Sequence, residues 1–368
     1  MKISHIARLS AISAIAALAL AGCAANEPAP SDSEGSAPAE TALTGTIEAT
    51  GASSQEAAQA AWVAAFQQAN TGTTVNYTST GSGPGRENFI SGASNFIGSD
   101  RAYTADELAA GGFGACVSDD IVEIPVYISP VAVAFNLDGI DSLNLDGETI
   151  AKIFAGDITN WNDPAIASQN DGVALPDQAI VPVHRAEASG TQETFTTYLN
   201  AVAPDAWTEE PSDVWPLESG EAAEGTSGVV AAISEGVGYI GFADASQAEG
   251  LGQVSIKVGD EYVPYSAEAA SALVAASPLE EGRSAHDLAF AVDPAAAPAG
   301  SYPIALVSYL IGCVEYDDAE VGSLVKAYFQ YVASAQGQDD AAAAAGNAPI
   351  SEDLRTKVNA AIDAMVAE

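Results

Sequence analysis

The residues best suited to chemistry lie between positions 180 and 195. An apolar run over 180–183 is typical of a buried strand, and Ser189 stands three residues before Gln192, the spacing of a helix-starting capping box. The predicted arrangement is strand, turn and helix N-terminus, where backbone N–H groups and the helix dipole favour an anion. Arg185 adds a planar, permanently charged group suited to phosphate-type oxyanions, which Glu187 is placed to orient. The alternative is a plain helix cap beside a surface ion pair.

Two further turns in the sequence have the same form. Ser53 follows a short predicted strand and stands at capping-box spacing from Glu56. Ser82 lies in a glycine-rich turn, residues 80–85, after the predicted strand 75–78. Together with the first segment, these turns predict a site at which several helix N-termini converge on one small anion. The sequence contains neither a Walker motif nor a Rossmann glycine fingerprint.

The chain is strongly acidic. Its 368 residues include 50 Asp and Glu against 11 Lys and Arg, which gives a formal net charge of −39. Such a surface repels nucleic acid and anionic lipid head groups. It also repels small anions at long range, so an anion site must rely on local donors and dipoles. We interpret the acidity itself as an adaptation of the surface to solubility or high salt.

Strands alternate with helices along the sequence, which predicts an α/β fold. The length is sufficient for two or three domains of usual size. Two long extended apolar segments, residues 121–136 and 301–310, are candidates for strands that cross from one domain to another.

The N-terminus has the form of a secretion signal. Lys2 and Arg8 precede an apolar run over 12–20, and the segment ending at Cys23 resembles a bacterial lipoprotein cleavage motif. Residues 1–22 are therefore predicted to be a signal peptide, with Cys23 as the lipidated, palmitate-bearing N-terminus of the mature chain. A plain signal peptide with an incidental cysteine is the alternative. The remainder of 23–44, rich in Ala, Pro, Ser and Glu, is predicted to be a disordered tether.

Two cysteines remain once Cys23 is assigned to lipid, namely Cys116 and Cys313. In an oxidising compartment this even number favours one disulfide, and two separate buried thiols are the alternative. The sequence has no Cys-x-x-Cys pair and no cluster typical of metal ligands, so neither a metal nor a cofactor is predicted.

An enzymatic interpretation rests on His184, which lies near Ser189 and would suit a phosphatase-like or esterase-like hydrolase. Against it, the sequence has no Gly-x-Ser-x-Gly nucleophile elbow. We therefore interpret His184 as a strand-end residue packed against the loop and assign no catalytic residue.

The motifs, in this order, resemble those of the substrate-binding lipoproteins of the high-affinity phosphate ABC transporter, the Pst system. The resemblance covers nearly the whole mature sequence. It is carried by Gly51-Ala52-Ser53-Ser54, Gly81-Ser82-Gly83, Gly98-Ser99-Asp100, Arg185-Ala186-Glu187-Ala188-Ser189-Gly190-Thr191, Ile153-Phe154-Ala155-Gly156-Asp157-Ile158-Thr159-Asn160-Trp161 and Gly238-Tyr239-Ile240.

This resemblance implies a two-domain periplasmic-binding-protein-like fold of type II, in which two crossover strands join α/β domains around a hinged ligand cleft. Domain I would comprise residues 45–130 plus 303–368, and domain II residues 131–302. Cys116 and Cys313 would then both belong to, or border, domain I, which favours the disulfide.

The resemblance also implies an extracytoplasmic, monomeric binding protein for inorganic phosphate that serves ABC permease subunits and is held to the cell membrane by its lipid alone. Asp100 would accept from a phosphate hydroxyl. The donors to phosphate oxygens would be Ser53, Ser82, Arg185, Ser189, Gly190 and Thr191.

Some positions depart from the family pattern. The family commonly has Thr-Phe at Ser53-Ser54 and Gly-Ser-Ser-Gly-Gly over 81–85, so Ser54 is included among the ligand-binding residues while its role and that of Gly83 stay open. Asp100 taken alone is also typical of a helix cap or a surface turn. Another oxyanion, sulfate or molybdate, is the alternative ligand. Asp100 argues against it, because sulfate near neutral pH carries no hydroxyl for a carboxylate to accept from.

Overall fold

The computed structural model describes residues 43–366. The predicted signal peptide over 1–22, Cys23 and nearly all of the predicted tether lie outside these residues. Among the described residues, no helix combines the length and apolar character needed to cross a membrane.

Strands and helices alternate through the first part of the chain, as predicted. They are β1 (Thr44–Gly51), α1 (Glu56–Ala69), β2 (Gly72–Ser79), α2 (Ser82–Ile90), β3 (Phe96–Ser99), α3 (Ala105–Ala110), β4 (Ile121–Phe135), β5 (Ser142–Leu145), α4 (Gly147–Ala155) and α5 (Pro164–Ala167). A short 3₁₀ helix, Ser53–Gln55, stands between β1 and α1.

The second part continues the alternation and ends in three helices. Its elements are β6 (Val181–Arg185), α6 (Gly190–Val202), β7 (Glu221–Ala223), α7 (Gly225–Glu235), β8 (Tyr239–Asp244), β9 (Gly252–Val258), β10 (Glu261–Val263), α8 (Ala267–Ala276), β11 (Ala305–Cys313), α9 (Ala319–Ala333), α10 (Ala335–Ala345) and α11 (Glu352–Asp363). The predicted α/β class is confirmed.

The strands form one mixed sheet in the order β2-β1-β3-β11-β4-β8-β6-β7, and β9 pairs with β4, β5 and β10. β1 is parallel to β2 and β3, whereas β11 runs antiparallel to β3 and β4. On the other side β8 is antiparallel to β4 and parallel to β6. β1, β2 and β3 run in one direction and β6, β7 and β8 in the opposite direction. The carboxyl ends of the two sets, and the turns that follow them, therefore point toward each other.

β4 links the two sides of this sheet. Residues 121–130 of the strand pair with β11, and residues 131–135 pair with β8. All 15 residues of β4 and all nine of β11 are buried, which explains why both are apolar without alternation. These two strands correspond to the two extended runs predicted to be crossovers.

A buried carboxylate marks the point at which β4 changes partner. Asp244, at the end of β8, pairs with Val131 in the sheet and is fully buried. It accepts hydrogen bonds from the Tyr127 hydroxyl at 2.9 Å and the Ser246 backbone N–H at 3.0 Å. Burial raises the pKa of Asp244 to about 6, although the bonds from Ser246, Ser129 and Tyr127 partly oppose this rise.

Cys116 and Cys313 form a disulfide, with their Cα atoms 5.3 Å apart and a sequence separation of 197. The bond ties the segment after α3 to the end of β11. The predicted pairing is therefore present.

Candidate anion-binding site

The predicted site residues come from separate elements and meet where the carboxyl ends of the two oppositely directed sets of parallel strands face each other. Ser53 and Ser54 lie in the 3₁₀ helix after β1, Ser82 is the first residue of α2, and Asp100 directly follows β3. Arg185 ends β6, and Ser189 is the N-cap of α6, of which Gly190 and Thr191 are the first residues. The seven of these residues that carry a polar side chain are each at most 5% exposed.

Asp100 is the hub of the site. Its Oδ1 accepts from the hydroxyls of Ser54 at 2.5 Å and Ser308 at 2.6 Å, and its Oδ2 accepts from Thr191 at 2.8 Å. A carboxylate has about four lone-pair positions, two on each oxygen. Oδ1 is therefore fully used, and Oδ2 retains one acceptor position for a further hydrogen.

The backbone around Asp100 is held equally closely. Its N–H donates to the Ser82 hydroxyl at 3.0 Å. A Cβ added to Gly190 would lie 2.6 Å from the Asp100 Cβ, so only glycine allows the N-terminus of α6 to approach this carboxylate. The first turns of α2 and α6 thus both rest against one residue.

Arg185 brings a buried positive charge to the site. The residue is 3% exposed, and its Nη2 is paired with Glu187, as predicted from their spacing. Glu187 also accepts from the backbone N–H of Gly225 at 3.1 Å, which ties this ion pair to the start of α7. Within the described part of the chain, Nε of Arg185 has no hydrogen-bond partner. A buried charged donor of this kind requires an acceptor from a ligand or solvent.

A third helix N-terminus reaches the site through Ser53. The Ser53 hydroxyl lies 3.0 Å from the Thr226 hydroxyl and accepts from the Thr226 backbone N–H at 3.1 Å. The capping box predicted for Ser53 and Glu56 is wrong, because α1 starts after the 3₁₀ helix and shows no side-chain cap. The Ser53 hydroxyl is instead used across the site, at the second residue of α7.

The capping box predicted at Ser189 is half correct. Its hydroxyl accepts from the Gln192 backbone N–H at 3.4 Å. The Gln192 side chain does not return to Ser189, however, but accepts from the backbone N–H of Arg185 and donates to the Asp213 carbonyl. Gln192 therefore positions the strand end that carries Arg185. The N–H of Gly83 donates to the Ala188 carbonyl at 3.0 Å and so joins α2 to this turn.

Sequence reasoning missed Ser308 and Thr226. Thr226 lies in the run Gly225-Thr226-Ser227-Gly228 before apolar residues, which has the same glycine-and-hydroxyl form as the other turns and was a usable signal. Ser308 lies inside the apolar strand β11, where only the register against β3 and β4 brings its hydroxyl to Asp100. Gln55 then donates to the Ser308 hydroxyl at 2.6 Å and orients it.

His184 does not contact Ser189. Its Nδ1 donates to the Arg185 carbonyl at 2.9 Å, and its ring stacks on Trp215 with centroids 4.9 Å apart. Burial lowers the pKa of His184, which favours its neutral form. Among residues 43–366 there is also no group of three or more His, Cys, Asp or Glu side chains suited to holding a metal ion.

Comparison with known proteins gives consistent matches over most of the chain. A model of the PBP superfamily domain matches residues 36–336. The chain is 35% identical over 328 residues to phosphate-binding protein PstS 3 of Mycobacterium tuberculosis, covering 87% of this chain and 86% of the relative. It is 34% identical over 327 residues to PstS 3 of Mycobacterium leprae, covering 87% of each.

Solved structures show a similar fold at lower identity. One is a high-affinity periplasmic phosphate-binding protein, PfluDING, bound with phosphate, which matches with a TM-score of 0.69 and 22% identity over 86% of this chain and 93% of that chain. Another is a phosphate-binding protein from Stenotrophomonas maltophilia, with a TM-score of 0.63 and 21% identity over 86% and 94%. These likenesses confirm the two-domain periplasmic-binding-protein-like fold.

Proposed function

We infer that this chain, which belongs to the PstS phosphate-binding proteins of the PBP superfamily, is the solute-binding protein of a phosphate ABC transporter. The observation that carries this inference is the state of Asp100. Three hydroxyls fill three of its acceptor positions, and one position on Oδ2 remains for a hydrogen supplied by the ligand. The site is therefore suited to an oxyanion that still carries a proton.

The donors around Asp100 supply the other half of phosphate recognition. Backbone N–H groups at the starts of α2, α6 and α7 present the positive ends of three helix dipoles. Arg185 adds its guanidinium, whose Nε has no protein partner in the described residues. We propose that the groups donating to phosphate oxygens are those of Ser53, Ser82, Arg185, Ser189, Gly190 and Thr191. Thr191 would donate through its backbone N–H, because its hydroxyl donates to Asp100.

Ser54 has a different role in this proposal. Its hydroxyl donates to Asp100 at 2.5 Å and so is not available to a phosphate oxygen. Ser54 and Ser308 together hold the carboxylate in place, while Thr191, on the other carboxylate oxygen, lies on the ligand side. Sulfate and molybdate offer no hydroxyl near neutral pH, so either would confront a buried carboxylate with an oxygen that cannot donate. This chemistry favours phosphate over the alternative oxyanions.

We propose that the two domains comprise residues 45–130 plus 303–368 and residues 131–302. The change of partner within β4 between Pro130 and Val131 supports the first of these bounds. Ser53 and Asp100 belong to the first domain, and their partners Thr226 and Thr191 to the second. The contacts between them correspond to a cleft closed around the site.

We further propose that Cys23 carries the lipid that anchors the protein outside the cell membrane, with residues 24–44 as a tether. The lipoprotein-like N-terminal motif supports this, and the disulfide is consistent with an oxidising compartment. The chain would then act as a monomer that presents phosphate to the permease subunits. No catalysis is proposed, because the His184 ring bonds to the Arg185 carbonyl and stacks on Trp215 instead of contacting Ser189.

Calorimetry on tagless protein stripped of ligand tests the proposal. Titration with phosphate is expected to give a Kd of about 1 μM or lower, equivalent to roughly −8 kcal/mol. Sulfate and molybdate are expected to bind at least about 1,000-fold more weakly, in line with sites built around a ligand hydroxyl. Equal affinity for phosphate and sulfate, or turnover of a phosphomonoester, would contradict the proposal.

A further inference from the structure

A bridge of charged side chains spans the two proposed domains beside the site. Arg86 in α2 pairs with Asp213 through Nη2 and Oδ2 at 2.5 Å. Arg101, directly after Asp100, pairs with Glu193 through Nε and Oε2 at 2.9 Å and lies 3.5 Å from Asp213. Both arginines belong to the first domain and both carboxylates to the second.

Glu107 belongs to the same domain as the arginines. It makes two hydrogen bonds to Arg101, at 2.7 and 2.8 Å, and its Oε1 lies 3.9 Å from Nε of Arg86. Glu107 is fixed by the capping box of α3 with Thr104. It therefore remains with the arginines whatever the second domain does.

The second-domain carboxylates are directly connected to ligand-binding residues. The Asp213 carbonyl accepts from the Ser189 N–H at 2.8 Å and from the Gln192 side chain at 2.9 Å. Glu193 lies in the first turn of α6, two residues after Thr191. A cavity of about 470 Å³ adjoins the site, and its lining includes Asp100, Gly190, Arg101 and Glu193. The ion pairs thus stand on the wall of a space that leads to Asp100.

The charges in this bridge depend on one another. Burial and the neighbouring Arg101 lower the pKa of Arg86, whereas Asp213, Glu107 and Glu193 oppose the fall. The Arg86 side chain is only 6% exposed, so its charge requires a partner. With the domains together, three carboxylates face two guanidinium groups. With the domains apart, Glu107 would be the one carboxylate of the three still facing the arginines. Arg86 and Arg101 would then form a positively charged patch at the edge of the cleft, on an otherwise acidic protein.

We propose that Arg86 and Arg101, with Asp213 and Glu193, form a latch that holds the two domains closed over bound phosphate and slows its release. This inference rests on the proposed function. The four side chains are positioning residues, because they act through the domain arrangement and not on the ligand. Before closure the positive charges of the same arginines attract phosphate. On closure, Asp213 and Glu193 pair with these arginines and neutralise them.

The test measures release of radiolabelled phosphate from the full mature chain during a chase with unlabelled phosphate. Asp213→Asn keeps the carbonyl that Ser189 and Gln192 use but removes the charge facing Arg86. Phosphate dissociation is expected to become about tenfold faster, while the association rate constant changes less than about threefold, as for loss of a partly buried charge pair. Glu193→Gln is a second, independent variant, for use if Asp213→Asn does not fold.

A double-mutant cycle separates a latch from a general loss of structure. The variant combining Arg86→Gln with Asp213→Asn is expected to release phosphate at about the rate of either single variant, because both remove one interaction. Glu148→Gln, which breaks the exposed Glu148–Lys152 pair on α4, is the matched control and should leave release unchanged.

Two outcomes would overturn the latch while leaving phosphate binding intact. One is release within about twofold of wild type for both Asp213→Asn and Glu193→Gln, a change too small for a desolvated ion pair. The other is a double variant in which the effects of the two substitutions multiply. Failure of the wild-type protein to bind phosphate would instead overturn the proposed function and, with it, this inference.

Discussion

Replacing Asp100 by asparagine is the sharpest test of how the site chooses its ligand. Asparagine keeps the shape and one carbonyl oxygen, which can still accept from Ser54 and Ser308. Its amide group would take the place of Oδ2, on the side of Thr191. A phosphate hydroxyl then loses its acceptor, whereas a sulfate oxygen gains a donor.

The size of the effect follows from these two changes. A hydrogen bond to a charged group contributes about 1.5–3 kcal/mol, and a neutral one about 0.5–1.5 kcal/mol. Phosphate affinity is therefore expected to fall only about tenfold. The loss of the hydrogen bond to the carboxylate is partly offset, because the phosphate dianion is no longer repelled by the negative charge of Asp100. Bound sulfate no longer faces the buried Asp100 carboxylate, to which its oxygens cannot donate, and in the wild type that contact costs several kcal/mol. The ratio of phosphate to sulfate affinity should fall by at least about 100-fold, or ~2.8 kcal/mol.

Calorimetry with both anions on wild type and Asp100→Asn measures this ratio directly. Asp138→Asn, at an exposed position in the turn after β4, is the control and should behave as wild type. Thermal unfolding without ligand verifies that Asp100→Asn is folded. An unchanged ratio in a folded variant would refute the role assigned to the carboxylate.

Three further perturbations test separate parts of the structure. Arg185→Ala should weaken phosphate binding at least about 100-fold in calorimetry, because it removes several charge-assisted bonds of roughly 1.5–3 kcal/mol each. Asp244→Asn should gain stability over wild type as pH rises. The raised pKa of Asp244 gives a stability contribution that is complete below about pH 4 and lost by about pH 6–7, roughly 3 kcal/mol in urea unfolding. Joint replacement of Cys116 and Cys313 by serine should lower the free energy of unfolding by about 2–5 kcal/mol, measured against reduced and oxidised wild type.

For each of these three predictions, a specific outcome would contradict the reasoning. An Arg185→Ala titration that superimposes on wild type would remove the guanidinium from the site. If the difference in unfolding free energy between Asp244→Asn and wild type stays constant from pH 4 to pH 8, burial does not raise the pKa of this carboxyl group. Equal stability of the serine variant and the oxidised protein would mean that the disulfide constrains nothing.

The sequence predicts those parts of the site that are specified by residues close together in the chain. Arg185 with Glu187, and Ser189 with the start of α6, are set by the order of a few neighbouring residues. Ser308 lies 208 residues from Asp100, and Thr226 lies 173 residues from Ser53. No local pattern specifies these contacts, because the sheet register and the packing of α7 decide them.

The same limit explains the incorrect capping box at Ser53. The Ser-x-x-Glu spacing is a valid start signal for a helix in isolation. Here the Ser53 hydroxyl instead contacts Thr226, and a 3₁₀ turn precedes α1. Tertiary contacts replaced the local bond, and they did so at a residue that the proposed function places on the ligand.

The continuity of β4 has a consequence for how the molecule comes apart. β4 is one uninterrupted, fully buried strand, and its first part pairs with β11 while its last part pairs with β8. Neither part of the sheet can therefore unfold without disrupting a strand that the other part also uses. A single cooperative melting transition is the natural outcome, rather than two independent ones. β4 therefore couples the unfolding of the part of the sheet around β11 to that of the part around β8.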